Sequence, residues 1–575
     1  MESDNIKLNY MKITLDKSKY HRFRLYYDYT PDRVEFCRQL KESFGWDRFS
    51  FYSEGNQKFW AFTDSLFIPV LAEKFPEVDI SPEAADLVKY EQRWEREKEI
   101  KNKKIEDIRS KTDTDFAVKG LKNELYPYQK IGVEFLVESE GRAIIADGMG
   151  LGKTCQAISF AKHMNFKRVL VVCPASVKFS WKNEVSKWTR FSSIVIDSKT
   201  DVKSIDSEIN MWIVNYDILK KHYAQLSKIR FDCMIGDEVQ MIKTTSAIRT
   251  KAFRMISKNI SSIVLLSGTP LLSRPSELFS LLNIIDPKSW DNWFQFAKKY
   301  CAMHQTRWGL DTSGASNIEE LHSRIKRYFI RRDKSQVLKE LPEKTFIDVP
   351  VQLDKENEKR YTVAAQDLAK YLRKYAGKEK SEIGKAMAAE KLTQLNILRQ
   401  INAVGKLGTA KELIESVLNS GEKVLVFCSF VEPLEILKEY FGDSAVIITG
   451  KTPVEERGGI VDAFQNNKDI NIFLGGYKSA GVGITLTAAS NFIGLDYPWN
   501  PADLQQAIDR LHRPGQKASA VNVYQLAVID SIDEDMKDTI DHKQGIFDQV
   551  IEGKVSVSVG KDAMDSAVKR VLSNY

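Results

Sequence analysis

Three short runs carry residue types whose spacing suits phosphate chemistry. The first reads Gly148, Met149, Gly150, Leu151, Gly152, Lys153, Thr154 and follows the apolar run AIIAD directly. Glycines let backbone N–H groups curl around phosphates, and a helix beginning after them adds its positive end. Gly148, Gly150 and Gly152 are the candidates for that approach. Lys153 suits the β and γ phosphates of ATP, and Thr154 suits Mg2+. Asp147 stands where the usual pattern has its leading glycine, so the strict pattern is not met.

The second run, MIGDEVQ, puts Asp237 and Glu238 at the end of an apolar stretch. One carboxylate can hold Mg2+, and its neighbour can take a proton from the attacking water, the division of labour that phosphoanhydride hydrolysis needs. Such a pair is commonly no more than a solvated loop, and its place after a phosphate loop is what favours chemistry. Asp237 therefore joins Thr154 as a metal candidate. The third run, QQAIDRLHRPGQ, places Arg510 and Arg513 three apart on one helical face. Guanidinium groups brought to a γ-phosphate stabilise charge developing in the transition state. The implied cofactors are ATP and Mg2+.

The elements that must position these residues alternate between strand and helix. AIIAD, VLVVCP, MWIVNY, FDCMIGDE and IVLLSGTP are short, rich in Val, Ile and Leu, and closed by turns. They read as strands of a parallel sheet buried on both faces. A second set, KVLVFCSF, SAVIITG, INIFLGG, NFIGLDYPWNP and VNVYQLAV, predicts another α/β domain of similar size. Between them lies a stretch rich in helix formers and without a strand-like run, read as a helical insertion. The fold class is α/β, two lobes with a helical insertion, preceded by a small α+β module. The expected boundaries are 1–83 for that module, 84–117 for a charged helical linker, and 118–345 for the first lobe. The insertion follows at 346–407, the second lobe at 408–540 and a tail at 541–575.

Bulk properties exclude several classes. The 575 residues are 43% hydrophobic and 28% charged, as in ordinary folded proteins. No uninterrupted apolar run reaches the roughly 18 residues of a membrane helix, so no membrane partner is expected. The first residues have no apolar core and do not read as a secretory signal. The protein is expected to stay where it is made: cytoplasmic in a bacterial or phage-infected cell, or nuclear in a eukaryote. Six single cysteines, none in a CxxC pair, predict reduced thiols and no zinc site. The net charge of +7 is compatible with phosphate backbones without specifying them.

The motifs and their order resemble the Swi/Snf-type DNA translocases of helicase superfamily two, over roughly Leu125 to Val528. LYPYQKIGVEFL is similar to the adenine-reading Q motif, which puts Gln129 on the base. DGMGLGKTCQ resembles motif I, including the family's Asp in place of the leading glycine. VVCPASVKFSWKNEVSKW resembles motif Ia, which implies that Ser176, Lys178 and Trp181 lie near DNA. VNYDIL implies the same for Asn215 and Tyr216. LLSGTPLL, with Ser267, Gly268 and Thr269, resembles motif III. YFIRRDKSQVLKELPEK is similar to the sequence closing the first lobe. In the second lobe, motifs IV, V and VI imply DNA contacts at Ser429, Lys451, Ser479 and Trp499, a nucleotide contact at Gly483, and arginine fingers at Arg510 and Arg513. Two departures stand out. Gln240 replaces the usual histidine of motif II, and is expected to act catalytically by hydrogen bonding between lobes. Motif V reads Lys478, Ser479, Ala480, Gly481, where the family more often has Thr, Lys, Ala, Gly.

The resemblance implies a motor that grips double-stranded or branched DNA alternately with each lobe, mainly through phosphates, with weak sequence preference and strong salt dependence. The amino-terminal segment, with FSFYSEGNQKFWAF between two helices, is similar to the HARP module of annealing helicases. That similarity implies strand annealing, branch migration or fork regression as the output. Phe59, Trp60 and Phe62 are then either the core of a small sheet or part of its DNA face. Alternative readings are a remodeller of a protein–DNA complex such as a stalled polymerase, the motor subunit of a defence or restriction system, and a binding scaffold with an inactive ATPase. A monomer is expected.

Overall fold

The computed structural model describes residues 11–16, 22–44, 49–54, 57–65, 67–268, 274–306, 309–338, 341–375, 382–480, 484–513, 515–552 and 563–575. The chain forms two compact units, Met1–Asp107 and Ile108–Tyr575.

The first unit is an α+β module. Strands β1 (Met11–Leu15), β2 (Phe23–Tyr27), β3 (Phe49–Glu54), β4 (Gln57–Phe62) and β5 (Asp79–Ile80) form one sheet in the order β3-β4-β2-β1-β5. Only β1 and β5 pair in parallel. Alternation sends Phe23, Leu25, Phe49, Trp60 and Phe62 into a core with Phe67 and Leu71 of the helix Phe67–Lys74. Phe59, Trp60 and Phe62 are 2%, 4% and 0% exposed, which decides for the core reading of these three. Among the described residues of this unit, the exposed aromatics include Phe51 and Tyr52 on the edge strand β3, besides Tyr29 after β2 and Tyr90 further on. The charged linker is one helix, Pro82–Ser110.

In the second unit the first lobe contains β6 (Arg142–Ile145), β7 (Val169–Cys173), β8 (Ser193–Val195), β9 (Met211–Asn215), β10 (Cys233–Asp237) and β11 (Ser262–Leu266). It also holds a small hairpin of β12 (His304–Thr306) and β13 (Gly309–Asp311), and the short β14 (Phe329–Ile330). Seven of these make a parallel sheet in the order β14-β6-β11-β10-β7-β9-β8. All five expected strands are present, and their residues are buried almost throughout, as a sheet covered on both faces requires.

The second lobe is a six-stranded parallel sheet of β15 (Glu343–Val351), β16 (Lys423–Cys428), β17 (Ala445–Ile448), β18 (Ile472–Gly476), β19 (Ala489–Gly494) and β20 (Ala520–Val528). The order is β15-β20-β19-β16-β18-β17. β15 pairs with β20 along its whole length, from Glu343↔Ala520 to Val351↔Val528. This strand lies across the boundary expected at 345 and belongs to the second lobe. Its charges and Pro350 hid it, and both are tolerated because it is an edge strand. The insertion is the helix pair Lys355–Tyr375 and Glu382–Gly405. Tyr361, Leu368, Leu395 and Leu398 of that pair share a core with Val568 and Val571 of the last helix, Ala563–Asn574. The last helix is thus packed against the insertion, whereas Phe547, Val550 and Ile551 of the expected tail join the core of the first lobe.

Candidate functional site

The phosphate loop forms where the chain leaves β6. Ala146 and Gly148 donate backbone N–H groups to the carbonyls of Ile330 and Arg332 at 2.7 and 2.9 Å, so β14 steadies the entry. Gly150 and Gly152 then take φ of 84° and 76°, where a side chain is strained. A Cβ on Gly152 would also lie 2.5 Å from Gln129 Nε2. The helix Lys153–His163 starts at once, which aims its first N–H groups at the loop. Lys153 is 9% exposed and turns its ammonium onto the carbonyls of Asp147 and Gly148 at 2.9 and 3.3 Å. Burial lowers its pKa, while Glu238, Asp147 and Asp237 oppose that fall.

Asp147 has a structural task in place of the leading glycine. Its fully buried carboxylate accepts from Arg332 Nε at 2.9 Å, from Arg332 Nη2 at 2.5 Å and from Gln156 Nε2 at 3.0 Å. Arg332 also donates to the Tyr128 carbonyl. A paired, buried carboxylate and guanidinium tie the loop to the end of the lobe. Asp147→Ala strands the guanidinium and is expected to cost about 3–5 kcal/mol of stability. Denaturant unfolding of the variant checks this, and an unshifted midpoint would refute the anchoring role.

Gln129 is 5% exposed. Its amide donates to the Leu151 carbonyl at 3.3 Å, and its oxygen accepts from the Tyr126 N–H at 3.1 Å. The side chain expected on adenine thus braces the phosphate loop from below.

Asp237 closes β10, and Glu238 follows with φ 51°. The Asp237 carboxylate accepts from the Glu238 N–H at 3.0 Å and from the Trp181 indole at 2.8 Å. The Tyr216 hydroxyl donates to the Asp237 carbonyl at 2.8 Å. Burial pushes the Asp237 carboxyl up, and the neighbouring Glu238 adds to it, so a cation beside it is favoured. Among the described residues no group of three or more His, Cys, Asp or Glu could hold a metal alone. Mg2+ that arrives with a nucleotide takes one or two protein oxygens and completes its shell with phosphates and water. Asp237 and the half-buried Thr154 carry oxygens of that kind.

Gln240 works within the first lobe. Its amide donates to Glu238 Oε2 at 2.7 Å and its oxygen accepts from Ser267 Oγ at 2.7 Å. This corrects the expectation that it bridges the lobes: the acid of motif II is linked to the start of motif III. Gly268 stands beside the lysine, since a Cβ there would lie 3.5 Å from Lys153 Nζ. Thr269, Gly481 and Gly483 lie outside the described residues.

The second lobe brings its arginines to this loop. A Cβ on Gly150 would lie 3.5 Å from both Cγ and Nε of Arg513. Arg513 is held by the Asp509 carbonyl at 3.0 Å and Thr485 Oγ1 at 2.9 Å. Arg510 is 2% exposed; burial and Arg513 lower its pKa, while Glu238 and Asp509 raise it. A guanidinium so placed keeps its charge. The helix Pro501–Ile508 stops short of both arginines, which lie in the turn after it and not on one helical face. A buried ion pair, Lys334 to Asp509 at 2.9 Å, fixes the start of that turn, and His512 Nε2 meets the Pro342 carbonyl at 2.8 Å. Sequence reasoning missed Arg332, Gln156 and Lys334. The dibasic RRDK run was the available signal, but it names no partner.

The residues expected on DNA follow strand ends, as ligand-facing residues do in open parallel sheets. Ser176 and Ser429 are exposed after β7 and β16, and Lys178 and Ser479 are half-buried after β7 and β18. Lys451, exposed after β17, pairs with Glu435 at 3.0 Å. Trp499 is half-buried, bonded to Asn396 and stacked by Arg399 at 5.0 Å. Two expectations are corrected. Trp181 and Tyr216 are each 1% exposed, with their polar atoms on Asp237, so neither side chain meets a DNA backbone. Asn215, at 5% exposure, is also buried.

Residues 128–405 match the model of the SNF2-related domain, and 405–515 match the helicase conserved C-terminal domain. The "DNA annealing helicase and endonuclease ZRANB3" of Bos taurus is 31% identical over 458 residues, covering 76% of this chain and 42% of that protein. A Caenorhabditis elegans homologue of the SWI/SNF-related matrix-associated actin-dependent regulator of chromatin subfamily A-like protein 1 is 35% identical over 447 residues, covering 74% of this chain and 62% of that one. The chain spans less than two thirds of the length of either relative. The Sulfolobus solfataricus SWI2/SNF2 ATPase core, solved in complex with dsDNA, is 25% identical and covers 79% of this chain and 98% of that one, at a TM-score of 0.38.

Proposed function

The chain belongs to the SNF2-related helicase family, and from that membership we propose that it is an ATP-dependent translocase on double-stranded DNA that remodels forked or branched DNA. One observation carries the ATPase part: the phosphate loop and the Asp237–Glu238 pair of one lobe meet Arg510 and Arg513 of the other. Lys153 and the loop N–H groups hold the β and γ phosphates. Thr154 and Asp237 would hold Mg2+, which would supply positive charge to offset that of the phosphates. Glu238, steadied by Gln240, orients the attacking water and accepts its proton as the bond to the β–γ bridging oxygen breaks. Arg510 and Arg513 stabilise the charge on the transferred group and tie that step to the closeness of the lobes.

The choice of forked DNA leans on the name that the annealing-helicase relative carries. Exposed Phe51 and Tyr52 on the amino-terminal module offer rings on which unpaired bases could stack. The deciding experiment compares ATP hydrolysis without nucleic acid and with single-stranded, duplex, forked and four-way DNA, and RNA. Stimulation by duplex, and more by forks or junctions, is the expected result. Equal stimulation by RNA, or none by any nucleic acid, would refute the reading.

A further inference from the structure

Trp181 sits in the helix Lys178–Trp188, which follows β7. The start of that segment faces outward: Ser176 is exposed and Phe179 is 67% exposed. One turn on, Trp181 is 1% exposed and its indole N–H ends on Asp237 Oδ2 at 2.8 Å. A buried indole N–H needs an acceptor, and a backbone carbonyl commonly provides one. Here the acceptor is the carboxylate placed to hold Mg2+. The Glu238 N–H takes the other oxygen, Oδ1, at 3.0 Å. Each carboxylate oxygen has two lone pairs, so both stay open to a cation while the rotation of the group is fixed from two sides. The Tyr216 hydroxyl holds the same residue by its carbonyl at 2.8 Å, from the end of β9, which pairs with β7.

We infer that Trp181 is a positioning residue, holding the Asp237 carboxylate for Mg2+ and linking that carboxylate to the outward-facing start of its own helix. A backbone phosphate that engages Ser176 and Lys178 then bears on the metal-holding group through one rigid turn. The link to DNA rests on the duplex-motor reading above, whereas the hold on the carboxylate does not.

The test is Trp181→Phe in the full chain, which keeps a ring in the site and removes the N–H. The Mg2+ needed for half-maximal binding of a fluorescent ADP, measured without DNA, is expected to rise about tenfold, the scale set by outer-shell partners of metal ligands. Turnover with saturating duplex should fall by about the same factor while duplex affinity is unchanged. An unchanged Mg2+ requirement overturns the positioning role. A raised requirement with full duplex stimulation keeps that role and overturns the link to DNA. Wild-type protein that duplex fails to stimulate overturns the motor reading instead, and the Mg2+ titration still decides for Trp181. Should Trp181→Phe fail to fold, Tyr216→Phe removes the second bond onto Asp237 and must move the same titration in the same direction.

Discussion

Arg513→Ala is expected to lower turnover with saturating duplex by about 10³-fold, the lower end of what a guanidinium at a transferring phosphoryl group contributes. The side chain lies over Gly150 of the phosphate loop, although it belongs to the other lobe. Its loss removes charge stabilisation in the transition state and little of the ground-state grip on nucleotide, which Lys153 and the loop provide. The fall should therefore appear in kcat, with binding of a fluorescent ADP nearly preserved. Arg513→Lys restores the charge without the planar fork and should recover only a small part. A loss confined to nucleotide affinity would place Arg513 outside the reaction.

Lys153→Ala should be comparably damaging and differ in kind. Its ammonium is buried among Glu238, Asp147 and Asp237 and touches the loop's own carbonyls at 2.9 and 3.3 Å. Removing it takes one positive charge from beside Asp237 and Glu238, so a triphosphate loses its attraction there. Both ATP affinity and turnover are expected to fall, turnover by about 10²-fold or more. ATPase assays run to saturating ATP, beside direct binding, separate the two terms. Full duplex-stimulated turnover in this variant would overturn the site.

Much of this was legible in the chain because it is local. Most central strands of the two sheets announce themselves as runs of Val, Ile and Leu closed by a turn, and the chemistry sits where those runs stop. The glycines with positive φ, the Asp237–Glu238 pair and the segment that carries the arginines all share that logic. What escaped depends on partners far away in sequence. Arg332 reads as a surface base until Asp147, 185 residues earlier, is seen to need it. Gln240 reads as a bridge between lobes until Ser267 takes its oxygen. Its resemblance to motif Ia puts Trp181 near DNA, and position in a motif does not say which way a helix turns its rings. β15 escaped for a different reason: a parallel edge strand that tolerates Pro350 lacks the apolar monotony by which its neighbours were found.

The ion pair of Lys334 with Asp509 and the contact of His512 with the Pro342 carbonyl lie where one lobe hands over to the next. For the translocase proposed above, they are placed as a fulcrum. Motion of the second lobe about such a point is a swing, and its amplitude grows with distance from the pin. Arg510 and Arg513 are next to it and move least, so they can stay in register with the phosphates. β17 stands at the opposite edge of the sheet from β15, five strand spacings or about 24 Å away. Lys451, just beyond β17, rides the long arm, so a small adjustment at the nucleotide is magnified into a stroke at the far rim.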